Sequence, residues 1–192
     1  MLLFFALLTF LAGWPIDGAT ADSGVSAMQE ISNWSADLQS DVAAVRLAAA
    51  RRLAVAGEDA RPAAVALVRA TGDAQEEIAE HAVAALEELG PPSGDDMAQL
   101  VELLEEAHDD VAYWAATLLG RLGADAAPAT DALAGALNPR RALAVRERAA
   151  WALGRIGPQA AGAVAALETA AAEEHARLRR LAGEALTTIR GA

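Results

Sequence analysis

Apolar and polar positions along this 192-residue chain follow one pattern that returns several times. Leu53, Leu86, Leu119, Leu153 and Leu186 recur at intervals of 33, 33, 34 and 33 residues. Ala49, Ala82, Ala115, Ala149 and Ala182 keep the same step, as do Val45, Ile78, Val111, Val145 and Leu178. Gly57, Gly90, Gly123 and Gly157 close four of the units. A fixed period of this size marks a solenoid, whose units bury their apolar faces only against their neighbours. In the fourth unit, Val145, Ala149, Ala152, Leu153 and Ile156 form one stripe of a helix. Gly157 follows, where a glycine in the left-handed conformation closes a helix, and Pro158 suits the first turn of the next. Pro62 and Pro128 hold equivalent places. The second helix has its own stripe, clearest in Met97, Leu100, Val101 and Leu104, and Leu67, Leu100, Leu133 and Leu167 mark one position of it through four units. Each unit therefore reads as helix, tight turn, helix. The fold class expected is an all-α, right-handed solenoid of about four full repeats plus terminal half-repeats.

The ends of the array are legible too. Residues 22–40 read as an N-terminal capping helix, with Ser26 to Leu38 helical and Ile31 and Trp34 at the positions that Ala64 and Leu67 hold one period later. The repeat array then occupies residues 41–192. Arg177 to Ile189 repeats the first helix of a unit and stops, and Arg177, Arg180 and Glu184 cover its outer face with polar groups. Between units, Asp73 and Glu76 resemble a capping box, while Asp109 and Asp110 stand as caps before a helix starting near Val111. Ahead of all this, Leu2 to Trp14 is an almost unbroken apolar run, too short to span a bilayer as a helix. Ala19-Thr20-Ala21 follows, the small-x-small pattern of a cleavage site, so residues 1–21 read as a signal peptide cleaved before Asp22. That predicts a periplasmic or secreted protein with no stable membrane span. Met1 alone precedes the run and supplies no positive charge, which leaves an uncleaved, membrane-associated segment as the competing reading.

The period by itself does not choose a family, but the residues do. The fourth unit contains Val145-Arg146, Ala149-Ala150, Ala152-Leu153-Gly154-Arg155-Ile156-Gly157 and then Ala163-Val164 with Leu167. This resembles the short HEAT repeat of the phycobilisome-lyase-like class. The third unit matches through Val111, Ala115-Ala116 and Leu119-Gly120-Arg121-Leu122-Gly123, and the first keeps Val45-Arg46 and Ala49-Ala50. The resemblance covers about residues 40 to 190 and implies a superhelix of helical hairpins whose second helices line the concave side. The second unit departs from it, with Ala79 in place of the family's Arg and Glu88 where a small residue is expected. That unit is where a divergent, functional surface is expected.

Composition narrows the chemistry. There is no Cys and no Lys, and all 15 basic residues are Arg. Disulfides, thiolate chemistry, Schiff bases and a Walker-type phosphate loop are thereby excluded. Glu77 and His81 lie four apart, and His108 adjoins Asp109 and Asp110, but neither set reaches a metal-site ligand count. His81, His108 and His175 have no nucleophile setting around them. No catalytic, metal or cofactor site is expected. The net charge of −12 and the predicted export argue against nucleic acid as a partner.

Charge is nevertheless uneven. Residues 73–131 hold fifteen Asp and Glu against the single Arg121, a balance of −14, whereas residues 140–192 hold nine Arg against five Glu, a balance of +4. The acidic stretch contributes Glu80, Glu87, Gln99, Glu102 and Glu106 as candidate partner-binding residues, the last three forming a polar ridge opposite the Met97, Leu100, Val101 and Leu104 stripe. Tyr113 and Trp114 are candidate aromatic anchors, set against their alternative role of filling gaps between Ala-rich helices. The function expected is a non-catalytic, exported scaffold for an unidentified protein partner. The family resemblance implies an alternative, a subunit that attaches or removes a bilin chromophore on a carrier protein.

Overall fold

The computed structural model describes residues 19–191, with side chains from residue 27 onward. The leader predicted for residues 1–21 lies outside this range except for Ala19-Thr20-Ala21, which open the first helix. Among the described residues the chain forms ten α-helices: α1 (Ala19–Asp37), α2 (Ala43–Val55), α3 (Ala64–Ala70), α4 (Glu76–Glu88), α5 (Met97–Glu105), α6 (Asp109–Leu122), α7 (Thr130–Ala136), α8 (Leu143–Ile156), α9 (Val164–Ala171) and α10 (Ala176–Arg190). Helices α2, α4, α6, α8 and α10 are the first helices of successive units. Helices α3, α5, α7 and α9 are the second helices, and α1 packs on α2 and on the 3-10 segment that follows it.

The repeating leucines hold this array together. Leu53, Leu86, Leu119 and Leu153 are wholly buried, and so are Leu67, Leu100, Leu133 and Leu167 on the second helices. Each second helix packs mainly on the first helix of the following unit rather than on its own partner, so the stripes meet between units. One position breaks the rule. Val45 is 37% exposed, while Ile78, Val111, Val145 and Leu178 at the same register are buried. At Val111 the cover comes from the end of the second helix α3, where a Cβ on Gly72 would lie 2.8 Å from the Val111 side chain.

The hairpin turns differ from the tight turn expected. In three units a seven-residue 3-10 segment joins the two helices: Gly57–Ala63, Gly123–Ala129 and Gly157–Ala163. Its buried alanines, Ala60, Ala126 and Ala160, let the chain reverse while staying close-packed. The opening glycines have positive φ, yet Gly123 and Gly157 combine it with ψ of −134° and −143°. This is not the left-handed helical cap predicted but a region that L side chains avoid more strongly. In the second unit, Pro91 and Pro92 replace the 3-10 segment's start, and only Gly94–Asp96 is 3-10. There a capping box does form, between Ser93 and Asp96. Burial raises the Asp96 carboxyl above its usual pKa, against the opposing hydrogen bond from the Ser93 N–H.

The capping box read at Asp73 and Glu76 is not present. Gln75 precedes α4 without a side-chain cap, and Asp73 instead accepts from the Gln75 N–H at 2.9 Å and faces Arg46. Asp109 and Asp110 lie inside the first turn of α6, where they meet the positive end of the helix dipole, rather than before it.

First helices approach closely through small residues. A Cβ built on Gly120 would lie 2.4 Å from the Trp151 ring and 3.0 Å from the Ala152 backbone, and one on Gly154 would lie 3.3 Å from the Ala185 backbone. Helix α6 thus sits tightly on α8, and α8 on α10; α2 sits on α4 with Ala54 at the same register. Helices α4 and α6 do not approach in this way. The residue of α4 in register with Gly120 and Gly154 is Glu87, one position before the Glu88 that the sequence comparison singled out. Unit two thus carries an exposed glutamate where the close junctions carry glycine or alanine.

Leu119→Asp places an unpaired charge at a fully buried stacking position and is expected to cost about 4 kcal/mol or more, whereas Glu102→Ala at an exposed site stays within about 0.5 kcal/mol of wild type, both by denaturant unfolding. Gly157→Ala is expected to cost about 1–3 kcal/mol through its backbone conformation. Gly183→Ala, mid-helix with nothing within 4 Å of the added Cβ, is expected to gain up to about 1 kcal/mol in the same measurement.

Candidate functional site

The seven residues predicted to bind a partner fall on two different faces. Glu80 and Glu87 lie on α4, and Tyr113 and Trp114 on α6, all first helices. Gln99 and Glu102 lie on α5, a second helix, with Glu106 just after its last turn. Glu80, Glu87, Gln99, Glu102 and Glu106 are exposed. Trp114 is 8% exposed, so its ring fills the space between helices and does not project as an anchor. Tyr113 is half-buried, its ring edge-on to Trp114 at a centroid distance of 5.7 Å.

The second-helix face carries a hollow of about 380 Å³ between α5 and α7, lined by Leu104, Glu105, Asp131, Ala132, Gly135, Ala136 and Arg141. Ala132, Gly135 and Ala136 keep its floor low, and Glu105 and Asp131 are exposed carboxylates with no ion pair among the described residues. Glu106 is engaged differently, pairing with Arg69 of α3 at 3.3 Å across the same face. Arg141 closes one end. Its guanidinium donates to the carbonyls of Leu104 at 3.0 Å and Glu106 at 2.9 Å, which satisfies the orphan acceptors at the end of α5. Sequence spacing finds the Gln99, Glu102 and Glu106 ridge but not Glu105 and Asp131, which meet only because α7 stacks beside α5.

The first-helix face carries aromatic rings and guanidinium groups. Arg148 of α8 lies over the Tyr113 ring at 4.6 Å and the Trp151 ring at 5.2 Å, and it donates to the Tyr113 hydroxyl. Arg121 lies over Trp114 at 5.9 Å and donates to the carbonyls of Leu86 at 2.6 Å and Gly90 at 3.3 Å. It therefore spans the wider α4–α6 junction and caps the end of α4 across it. Burial, and secondarily the charge of Arg148, lowers the Arg121 pKa from the usual guanidinium value.

Other arginines are structural clamps between units. Arg46 donates to the Ser40 carbonyl at 2.8 Å and to Asp73 at 2.6 and 3.1 Å. Arg146, at the matching place in the fourth unit and only 4% exposed, donates to the Leu137 carbonyl at 3.1 Å and pairs with Glu173. Ala79 and Ala112 stand at this register in units two and three, which lack the clamp. His81 approaches Glu77 at 3.9 Å, but Glu77 is already bound to Arg51. Among the described residues no three side chains group as metal ligands, and no helix is long and apolar enough to cross a membrane.

The Arg46 hydrogen bond holds the Asp73 carboxyl below its ordinary pKa, against the upward pull of burial. A depressed folded-state pKa gives stability that is present above the unfolded-state value and lost as pH falls through the folded one. Asp73→Asn is accordingly expected to lower stability by about 1 kcal/mol at neutral pH, with the gap to wild type closing in acid. Thermal melts of both proteins across the acid range measure this.

Comparison with known proteins agrees with the repeat architecture. The family model for HEAT repeats matches residues 97–187. No curated protein matches the sequence. Among solved structures, the complex of CpcE and CpcF of phycocyanin lyase from Nostoc sp. PCC7120 is similar, with 21% identity, a TM-score of 0.57, and coverage of 97% of this chain and 71% of that one. A designed armadillo repeat protein in complex with the peptide (KR)4 is similar at 17% identity and a TM-score of 0.58, covering 90% and 95% of the two chains. An engineered protein aligns with a TM-score of 0.59 at 21% identity, covering 83% and 79%. These identities speak for the fold alone. Residues 97–187 are HEAT repeats, and the hairpins ahead of them continue the same period and the same stacked architecture.

Proposed function

We propose that this protein is a non-catalytic, exported scaffold that holds a basic, extended segment of a partner protein on its second-helix face. The observation that carries this reading is the hollow between α5 and α7. Its floor of Ala132, Gly135 and Ala136 admits a long side chain, and Glu105 and Asp131 offer two unpaired carboxylates at its rim. A guanidinium or ammonium group seated there meets two carboxylates against the one guanidinium of Arg141, which is turned to the Leu104 and Glu106 carbonyls, while Gln99 and Glu102 on the exposed side of α5 extend the polar track. The long-range field favours such a partner as well, since residues 73–131 carry −14. A solenoid of the same fold, the designed armadillo repeat protein, was solved with the alternating basic peptide (KR)4, which supports a repeat array as a support for extended cationic chains. Export rests on the apolar run and the Ala19-Thr20-Ala21 pattern.

The likeness to phycocyanin lyase subunits supports a second reading, that of an accessory to chromophore attachment, and a visible absorbance band in the purified protein would favour it. The scaffold reading is tested by titrating the protein with (KR)4. Binding is expected to weaken with added salt, and Glu105→Gln with Asp131→Asn is expected to reduce affinity at least about tenfold. Glu80→Gln with Glu87→Gln, on the other face, is expected to change it far less. Equal losses in the two variants would point to a diffuse field effect and overturn the assignment to this hollow.

A further inference from the structure

The outer stripe of the first helices changes chemistry along the array. By repeat register Glu80, Tyr113 and Glu147 share one position, His81, Trp114, Arg148 and Leu181 the next, and Glu88, Arg121, Arg155 and Thr188 a third. On α4 this stripe is acidic. Glu80, Glu87 and Glu88 are exposed and have no ion pair among the described residues. On α8 and α10 it is apolar and arginine-rich, and its two carboxylates are already taken, Glu147 by Arg177 and Glu184 by Arg180. A hollow of about 260 Å³ brings Arg148 together with Tyr113, Trp151, Arg177 and Leu181. An adjoining hollow of about 290 Å³ shares Trp151 and Leu181 and adds Arg155.

Arg148 and Arg155 have no carboxylate partner among the described residues, in a chain where 27 acidic residues outnumber 15 arginines. Arg177, by contrast, is paired with Glu147 at 3.3 Å. The free carboxylates of α4 lie on the same face but two units away, with α6 between. One copy of the chain cannot bring them to its own Arg148. A second copy, turned end for end, can.

We propose that this face is the interface of a symmetric dimer, in which the acidic stripe of α4 in each copy lies over α8 of the other. A two-fold axis over α6 makes both contacts at once, as an isologous interface requires. The antiparallel arrangement sets the free carboxylates of α4 against Arg148 and Arg155 of α8, whereas a parallel one would set like against like. Arg148 suits the role because two aromatic rings already hold its guanidinium, so pairing costs little side-chain entropy. Half-buried Trp151 and Leu181 add apolar area beside it and shield the ion pair from water. This interface is separate from the second-helix face proposed to hold a basic segment.

Sedimentation equilibrium of the full chain tests the proposal. Wild type is expected to sediment as a dimer. A variant carrying Arg148→Glu and Arg155→Glu, and another carrying Glu80→Arg and Glu87→Arg, are each expected to sediment as monomers with wild-type circular dichroism. An equimolar mixture of the two variants is expected to recover the dimer, because both contacts regain opposite charges. Where Arg148→Glu disturbs folding, Arg155→Glu alone, at an exposed position, serves in its place and is expected to weaken the dimer. A monomeric wild type, a dimer that neither variant alters, or monomeric variants whose mixture stays monomeric would each overturn it.

Discussion

Stacking between consecutive units is the interaction on which this molecule depends. A single helical hairpin of this sequence has apolar stripes on both its helices and cannot cover them itself; only the next hairpin can. Hence the second helices lie mainly on the first helices that follow them, and the leucines at one register are buried through the array. The alanine and glycine content has the same origin. Small residues let first helices come close enough for dispersion contacts along their length, as Trp151 over Gly120 and Ala185 over Gly154 show.

Departures from the repeat matter because the repeat itself is so regular. Glu87 stands where the other junctions have Ala54, Gly120 and Gly154, and the wider α4–α6 junction is occupied by Arg121 over Trp114. The arginine does two things at once, filling volume and satisfying carbonyls at the end of α4. The clamps of Arg46 and Arg146 appear in the first and fourth units only. The middle of the array is instead joined by Arg69 to Glu106 and by Arg141 to the end of α5. At the register of Asp73 and Glu173 the central units carry Glu106, which Arg69 takes up, and Arg140.

Much of the fold was legible because burial demands periodicity. The leucine, alanine and glycine series predict helix positions, unit boundaries and the polar terminal helix directly from spacing. Capping was less legible. Asp73 stands in the sequence like an N-cap, but a guanidinium on the preceding unit competes for it and wins. The 3-10 turns escaped notice because their alanines look no different from helical ones; what distinguishes them is that the chain must reverse within a close-packed layer. For the candidate site, residues on one helix could be grouped by spacing, as with Gln99, Glu102 and Glu106. Groupings across helices could not. Glu105 with Asp131, and Tyr113 with Arg148 and Trp151, depend on which helices become neighbours and at what height. Trp114 shows the limit most plainly, since exposure of an aromatic residue is decided by the adjacent unit rather than by its own sequence neighbours.

The wider junction also bears on how the array yields under load. In a one-dimensional stack each joint resists bending in proportion to the surface its two sides share. First helices α2 with α4, and α6 with α8 and α10, form two stiff blocks, and between them the first-helix layer is bridged by side chains rather than by close backbone contact. Continuity across this joint is therefore carried by the second helices, since α3 packs on both α4 and α6 and α5 packs on α6.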